Sequence, residues 1–178
     1  RKLFFLVSFF LLYAVEADAW KSFDKVAVKS VMKRVADWQI ANPNKGAEHD
    51  DLDWTHAALY MGMVDWAELT EKEDADDSYF QWLLRIGKRN HFQVGKWMYH
   101  ADFIAVGQPF IDLYSKYGNK KMIAPVMARA NWVVENPAEV ALALDYGKLE
   151  TLDRWSWCDA LFMAPPVYAK LYALTKDK

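Results

Sequence analysis

The sequence predicts an all-α chain of consecutive helical hairpins, and three observations carry that expectation. Apolar residues return every three or four positions through most of residues 20–178. No segment alternates apolar and polar residues as a half-buried strand would, and breaks rich in Pro, Gly and Asp separate stripes of helical length. At 178 residues and 53% hydrophobic, the chain is long enough to enclose one ordinary domain core.

Residues 1–19 read as an export signal set apart from that core. Arg1 and Lys2 supply a positive start, Leu3 to Val15 an apolar run, and Ala17-Asp18-Ala19 an A-x-A cleavage site. The run is short for a bilayer span, so the expected mature domain, residues 20–178, is free of the membrane after signal cleavage and acts outside the cytoplasm, most simply in a periplasm. Val28, Val31, Met32, Val35 and Trp38 then mark a first helix, ended before Pro43. A second runs from about Trp54 to Leu69, and a third, through Tyr79, Trp82, Leu83 and Ile86, opens at Asp76-Asp77-Ser78. The fourth carries Phe103, Val106, Phe110, Leu113 and Tyr117 and closes at Gly118. Pro109 inside its stripe removes a backbone donor, which predicts a late start or a kink. The fifth spans Met122 to Glu135, and the sixth Ala160 to Thr175 is bent or restarted at Pro165-Pro166. Between them, Pro137 to Trp157 is long enough to be a functional loop.

One recurrence links this series to a site. An aromatic residue and an acid meet where the second, fourth and sixth helices begin: Asp53-Trp54, Tyr99-His100 with Asp102, and Trp157 with Asp159. If alternate helices line a common interior, these three starts gather at one end of it and form a cleft rimmed by Trp, His and Asp.

Composition narrows the chemistry of such a cleft. A net charge of −2 without a basic stripe argues against nucleic acid as a partner. Nine Trp, nine Tyr and ten Phe suit a large core or a surface on which sugars stack. No HExxH, Cys/His cluster or P-loop is present, so no metal or cofactor is expected, and the lack of a GxSxG elbow removes support for a serine hydrolase. The single cysteine, Cys158, offers no disulfide framework; flanked by Trp157, it reads as a small packed hydrophobe. Carboxylates remain. In "RWSWCDALFMAPP", Asp159 lies among Trp155, Trp157, Phe162 and Met163, where aromatic burial would raise its pKa and a helix start would lower it. A helix end is worth about 0.3–1 kcal/mol, so burial wins if the tryptophans enclose the group. A carboxyl that keeps its proton near neutral pH is a general acid; the competing reading is an N-cap aspartate bonded to its own helix amides.

The segments "WTHAALYMGMVDWAELT", "YHADFIAVGQPFIDLYSKYG" and "WSWCDALFMAPPVYAKLYALT" resemble three successive blocks, in the same order, of the unsaturated glucuronyl and rhamnogalacturonyl hydrolases, glycoside hydrolase families 88 and 105. The resemblance implies an (α/α)6 barrel, of which this chain is similar to the N-terminal half. It implies removal of a 4,5-unsaturated uronic acid from lyase-generated oligosaccharides by hydration of the enol-ether double bond, with unsaturated rhamnogalacturonan disaccharide as the expected substrate. Matched to the family motif, Asp159 takes the acid/base position and Asp102 that of the second essential aspartate. Trp54, Trp155 and Trp157 become candidates for sugar stacking, and His100 and Arg154 for contacts with the uronate. Phe103 stands where many relatives have a second acid. An open half barrel would also expose apolar faces and favour self-association. The alternatives are a non-catalytic carbohydrate-binding helical module and an inactive fragment.

Overall fold

The computed structural model describes residues 24–43 and 49–176, and every regular element among them is a helix. The expected export signal, residues 1–19, lies outside the described residues. The chain divides into two units, Arg1–Pro43 and Asn44–Lys178.

In the first unit, helix α1 (Lys25–Ala41) opens at Asp24, whose carboxylate accepts the Ala27 amide at 3.1 Å, satisfying one of the free donors of the first turn. It closes at Asn42, whose N–H returns to the Trp38 carbonyl.

The second unit holds α2 (Trp54–Asp74), α3 (Ser78–Arg89), α4 (Ala101–Ile104), α5 (Gly107–Tyr117), α6 (Ala124–Glu135), α7 (Ala160–Met163) and α8 (Pro165–Thr175), with short 3-10 turns at Lys120–Met122 and Leu149–Arg154. Helix α2 runs past the expected Leu69 because the polar turn Glu71-Lys72-Glu73-Asp74 still favours helix. It stops where Ala75 turns left-handed, at φ 54°, and returns its N–H to Thr70.

Pro109 acts as a start signal rather than a kink. It lies in the first turn of α5, where an amide has no intrahelical acceptor, and the chain breaks before it, between α4 and α5. Gly118 ends α5 at φ 69°. The same device operates at Pro165-Pro166: α7 stops after one turn and α8 begins on the two prolines.

The packing sorts these helices into layers. Helix α5 touches α2 on one side and α8 on the other, so the alternate helices of the predicted series form one layer. Helix α3 lies against α2 and α5, and α6 against α5, as the second layer of helical hairpins. Tyr60, Tyr79, Phe80, Phe110, Ile111, Leu113 and Val167 are fully buried in this core, each worth about 1.5–3 kcal/mol relative to exposure. Gly107 permits a close approach of α5 to its neighbours, since a Cβ there would stand 2.9 Å from Val126 Cγ1 and 3.3 Å from Val167 Cγ1. Ion pairs Lys116–Glu71 and Lys170–Asp112 tie α5 to α2 and to α8.

Candidate active site

The layer of alternate helices brings three local openings to one place. Asp53 caps α2 by accepting the Thr55 amide at 3.3 Å, which sets Trp54 as the first helical residue. His100 caps α4, its Nδ1 facing the Asp102 amide at 3.4 Å. Asp159 precedes α7 in helical conformation and makes no capping bond with its side chain. Helix α4 packs directly on α7. Trp54, His100, Asp102, Trp155, Trp157 and Asp159 consequently line one cavity of 260 Å³, with a mainly apolar wall.

The two carboxylates of this cavity differ in environment. Burial pushes the Asp102 carboxyl above the usual carboxylate range; a positive charge on His100, whose Nδ1 is 3.8 Å from Asp102 Oδ2, opposes the shift, while the charges of Asp159 and Asp53 add to it. Asp53 itself has His49 Nδ1 at 3.3 Å. Asp159, by contrast, is exposed. The expectation that tryptophans enclose it is corrected: Trp157 is 46% exposed with its ring edge on Tyr146, and Leu161 and Phe162 also face outward. Cys158 is exposed too, not packed as expected, because it shares this outward-facing turn. The N-cap reading of Asp159 fails as well, since no helix amide reaches its side chain.

Arg154 is the one sequence-predicted residue that does not line the cavity. Its guanidinium donates to the carbonyls of Ala138 and Val140 and holds together the loop between α6 and α7. Thr151, buried in that loop, accepts the Asp145 amide and bonds the Asp145 or Lys148 carbonyl, while Ser156 donates to the Thr151 carbonyl. Trp155 stands at the end of this knot in left-handed conformation, φ 54°, a strained backbone for a bulky residue. Its Nε1 donates to the Tyr99 carbonyl at 2.7 Å and its ring meets Tyr168 at 5.6 Å, so one aromatic wall of the cavity is fixed from two sides.

Leu152, Ser156, Ala101 and Ala160 also line the cavity and were not foreseen, although Ser156 sits between the two tryptophans of the motif. Arg129 was missed for a different reason. From α6 it donates to the carbonyls of Gly95, Trp97 and Met98, bracing the segment that leads into His100, and no local signal announces a partner so far along the chain. Burial holds its pKa below the ordinary arginine value. Phe103, next to Asp102, does not line the cavity; its ring packs tilted on Trp97 at 5.4 Å and edge-to-face with His100 at 5.7 Å.

Comparison with known proteins gives a consistent result. A family model described as Glycosyl Hydrolase Family 88 matches residues 15–178. An unsaturated 3S-rhamnoglycuronyl hydrolase of Alteromonas sp. (strain LOR) is 26% identical over 92% of this chain and 44% of its own length. A protein of the same name from Formosa agariphila is 28% identical over 87% of this chain and 40% of its own. The chain thus spans less than half the length of these curated relatives.

Proposed function

The chain belongs to Glycosyl Hydrolase Family 88, and from that premise we propose that it removes 4,5-unsaturated uronic acid from lyase-generated oligosaccharides by hydrating the double bond. The observation that supports this reading best is the meeting of Asp102 and Asp159 on one tryptophan-walled cavity. Asp159 protonates C4 of the enol ether, and the π pair that forms the new C–H bond leaves positive charge at C5, shared with the ring oxygen. Water adds at C5 and gives its proton to the ionised Asp159, which regenerates the acid. The resulting hemiketal opens and releases the aglycone.

Asp102 holds the substrate and steadies the developing charge. Burial raises its pKa, and the same desolvation strengthens whatever hydrogen bonds and charge interactions it makes with a bound substrate. Trp54, Trp155 and Trp157 offer ring faces to the sugars, and His100 contacts the uronate or its hydroxyls. Arg154 is assigned to the loop instead. The names of the two relatives carry a rhamnoglycuronyl unit, so rhamnose is the proposed neighbouring sugar, with the unsaturated rhamnogalacturonan disaccharide the first substrate to try. We further place the mature domain at residues 20–178, exported behind residues 1–19; N-terminal sequencing of the secreted product checks that boundary.

The test is to follow loss of the ultraviolet absorbance of the double bond with unsaturated rhamnogalacturonan and rhamnose–glucuronic acid disaccharides in parallel. Turnover that disappears in Asp159→Asn supports the mechanism. An Asp159→Asn variant at full rate sinks it, and saturable sugar binding without turnover in the parent favours a binding module.

A further inference from the structure

The two prolines that restart the last helix create a backbone deficit beside Asp159. In a continuous helix the Phe162 carbonyl would accept from the amide of residue 166, but Pro166 has no N–H. The Met163 carbonyl would accept from Val167, whose N–H instead goes to Ala164 at 2.9 Å. Both carbonyls end a four-residue helix whose first turn begins at Asp159. Gln108 supplies what is missing: from α5 its Nε2 donates to Phe162 O at 2.8 Å and Met163 O at 3.1 Å. One amide nitrogen has two hydrogens, so both bonds form together, and the two acceptors fix which way the amide points. The residue is 5% exposed, so water cannot readily replace it.

We propose that Gln108 is a positioning residue that anchors the Asp159 turn against the Asp102 segment. Gln108 belongs to the stretch that also carries Asp102, since α4 and α5 are joined by Ala105 and Val106, with the Gln108 amide bonded to the Ala105 carbonyl at 3.0 Å. Its side chain therefore sets the spacing of the two carboxylate-bearing turns across the cavity. No other hydrogen bond of the described structure joins a side chain of α5 to the backbone of α7. The inference rests on the reading of Asp159 as proton donor, and the experiment separates the two.

Cys158, the single exposed cysteine one residue before Asp159, provides the reporter. Labelled with a trifluoromethyl thiol reagent, the parent shows one narrow fluorine resonance. Gln108→Met keeps the volume and removes both donors; the resonance shifts or splits, and kcat falls on the order of tenfold or more while KM changes less than about twofold, as expected when a reacting group is misplaced. Gln108→Glu, ionised, faces the two carbonyls with no donor and perturbs the resonance further; on acidification the protonated side chain regains one of the two donors and the resonance moves part of the way back toward the parental position. A Gln108→Met protein with the parental spectrum and kcat, or a Gln108→Glu spectrum indifferent to pH, overturns the proposal. If Asp159→Asn retains turnover while Gln108→Met still displaces the resonance, the assignment of Asp159 fails and the anchoring stands.

Discussion

Gly95→Ala tests whether the Asp102 segment is held as tightly as its packing implies. A Cβ at Gly95 would lie 2.1 Å from Phe103 Cδ1 and 2.6 Å from Phe103 Cβ. Rotating the Phe103 ring removes the first clash but not the second, because Cβ moves only with the backbone. Restoring ordinary contact therefore needs a backbone displacement of about 1 Å at Phe103 and so at Asp102. Overpacking of this kind costs about 1–3 kcal/mol. The strain also falls on the Gly95 N–H bond to the Phe103 carbonyl, now 2.7 Å, worth about 1 kcal/mol more. For a chain of this size each kcal/mol lowers Tm by about 2–4 °C, so the variant melts on the order of 10 °C below the parent by circular dichroism. Displacing Asp102 lowers kcat/KM by about tenfold or more in the ultraviolet assay. Adding Phe103→Ala relieves only part of the loss, because its Cβ remains. A Gly95→Ala protein that melts within about 1 °C of the parent refutes this account of the segment.

Three further outcomes are expected. Asp102 has a native pKa above its unfolded value, so its contribution to stability is fully present below the unfolded carboxylate range and is lost as pH rises through the native pKa. Asp102→Asn escapes that loss: its Tm rises relative to the parent from acid to neutral pH while turnover collapses, and a Tm difference that does not change with pH defeats the argument. Trp155→Phe keeps a ring but leaves the Tyr99 carbonyl without its donor; a loss of about 1–2 kcal/mol in chemical denaturation and a raised KM are expected, and unchanged values of both contradict the role given to that bond. Leu161, Phe162, Tyr172 and Leu174 form exposed apolar surface on α7 and α8, which predicts concentration-dependent association by light scattering, reduced by Leu161→Glu with Phe162→Glu; a strictly monomeric parent refutes it.

The parts of this molecule that sequence made legible are the local ones. Helix starts depend on a few adjacent residues, so Asp53, His100 and Pro165 could be read in place, and the aromatic-acid recurrence at alternate helices was enough to place three distant segments at one cavity. Burial is not local. Asp159 has apolar neighbours in sequence, but around a one-turn helix successive side chains diverge by about 100°, and only Ala160 and Met163 turn inward. The place of Arg154 is likewise set by distant groups: an arginine next to a motif looks available to a ligand, whereas the irregular loop from Pro137 leaves carbonyls that a long, multiply donating side chain satisfies. Gln108 and Arg129 were invisible because their acceptors are backbone carbonyls, which leave no mark in sequence.

That reversal of burial changes what the site requires of its surroundings. Enclosing tryptophans would desolvate Asp159 on their own; the exposed Asp159 of this chain is desolvated only by whatever fills the cavity. An unsaturated uronyl ring stacked on Trp157 would do so, since it would exclude water from the acid and add an anion beside it, and both effects raise a carboxyl pKa. Desolvation of Asp159 then becomes a consequence of substrate binding, while Asp102 is desolvated by the fold alone. The two aspartates should accordingly separate in pH profiles: kcat, which reports the bound complex, has its basic limb set by Asp159 and lies at higher pH than the limb of kcat/KM, which reports the free protein. Trp157→Ala, by removing the stacking wall without touching either acid, should bring the two limbs together. If the limbs coincide in the parent, the substrate does not prepare the acid, and Asp159 needs another source of desolvation.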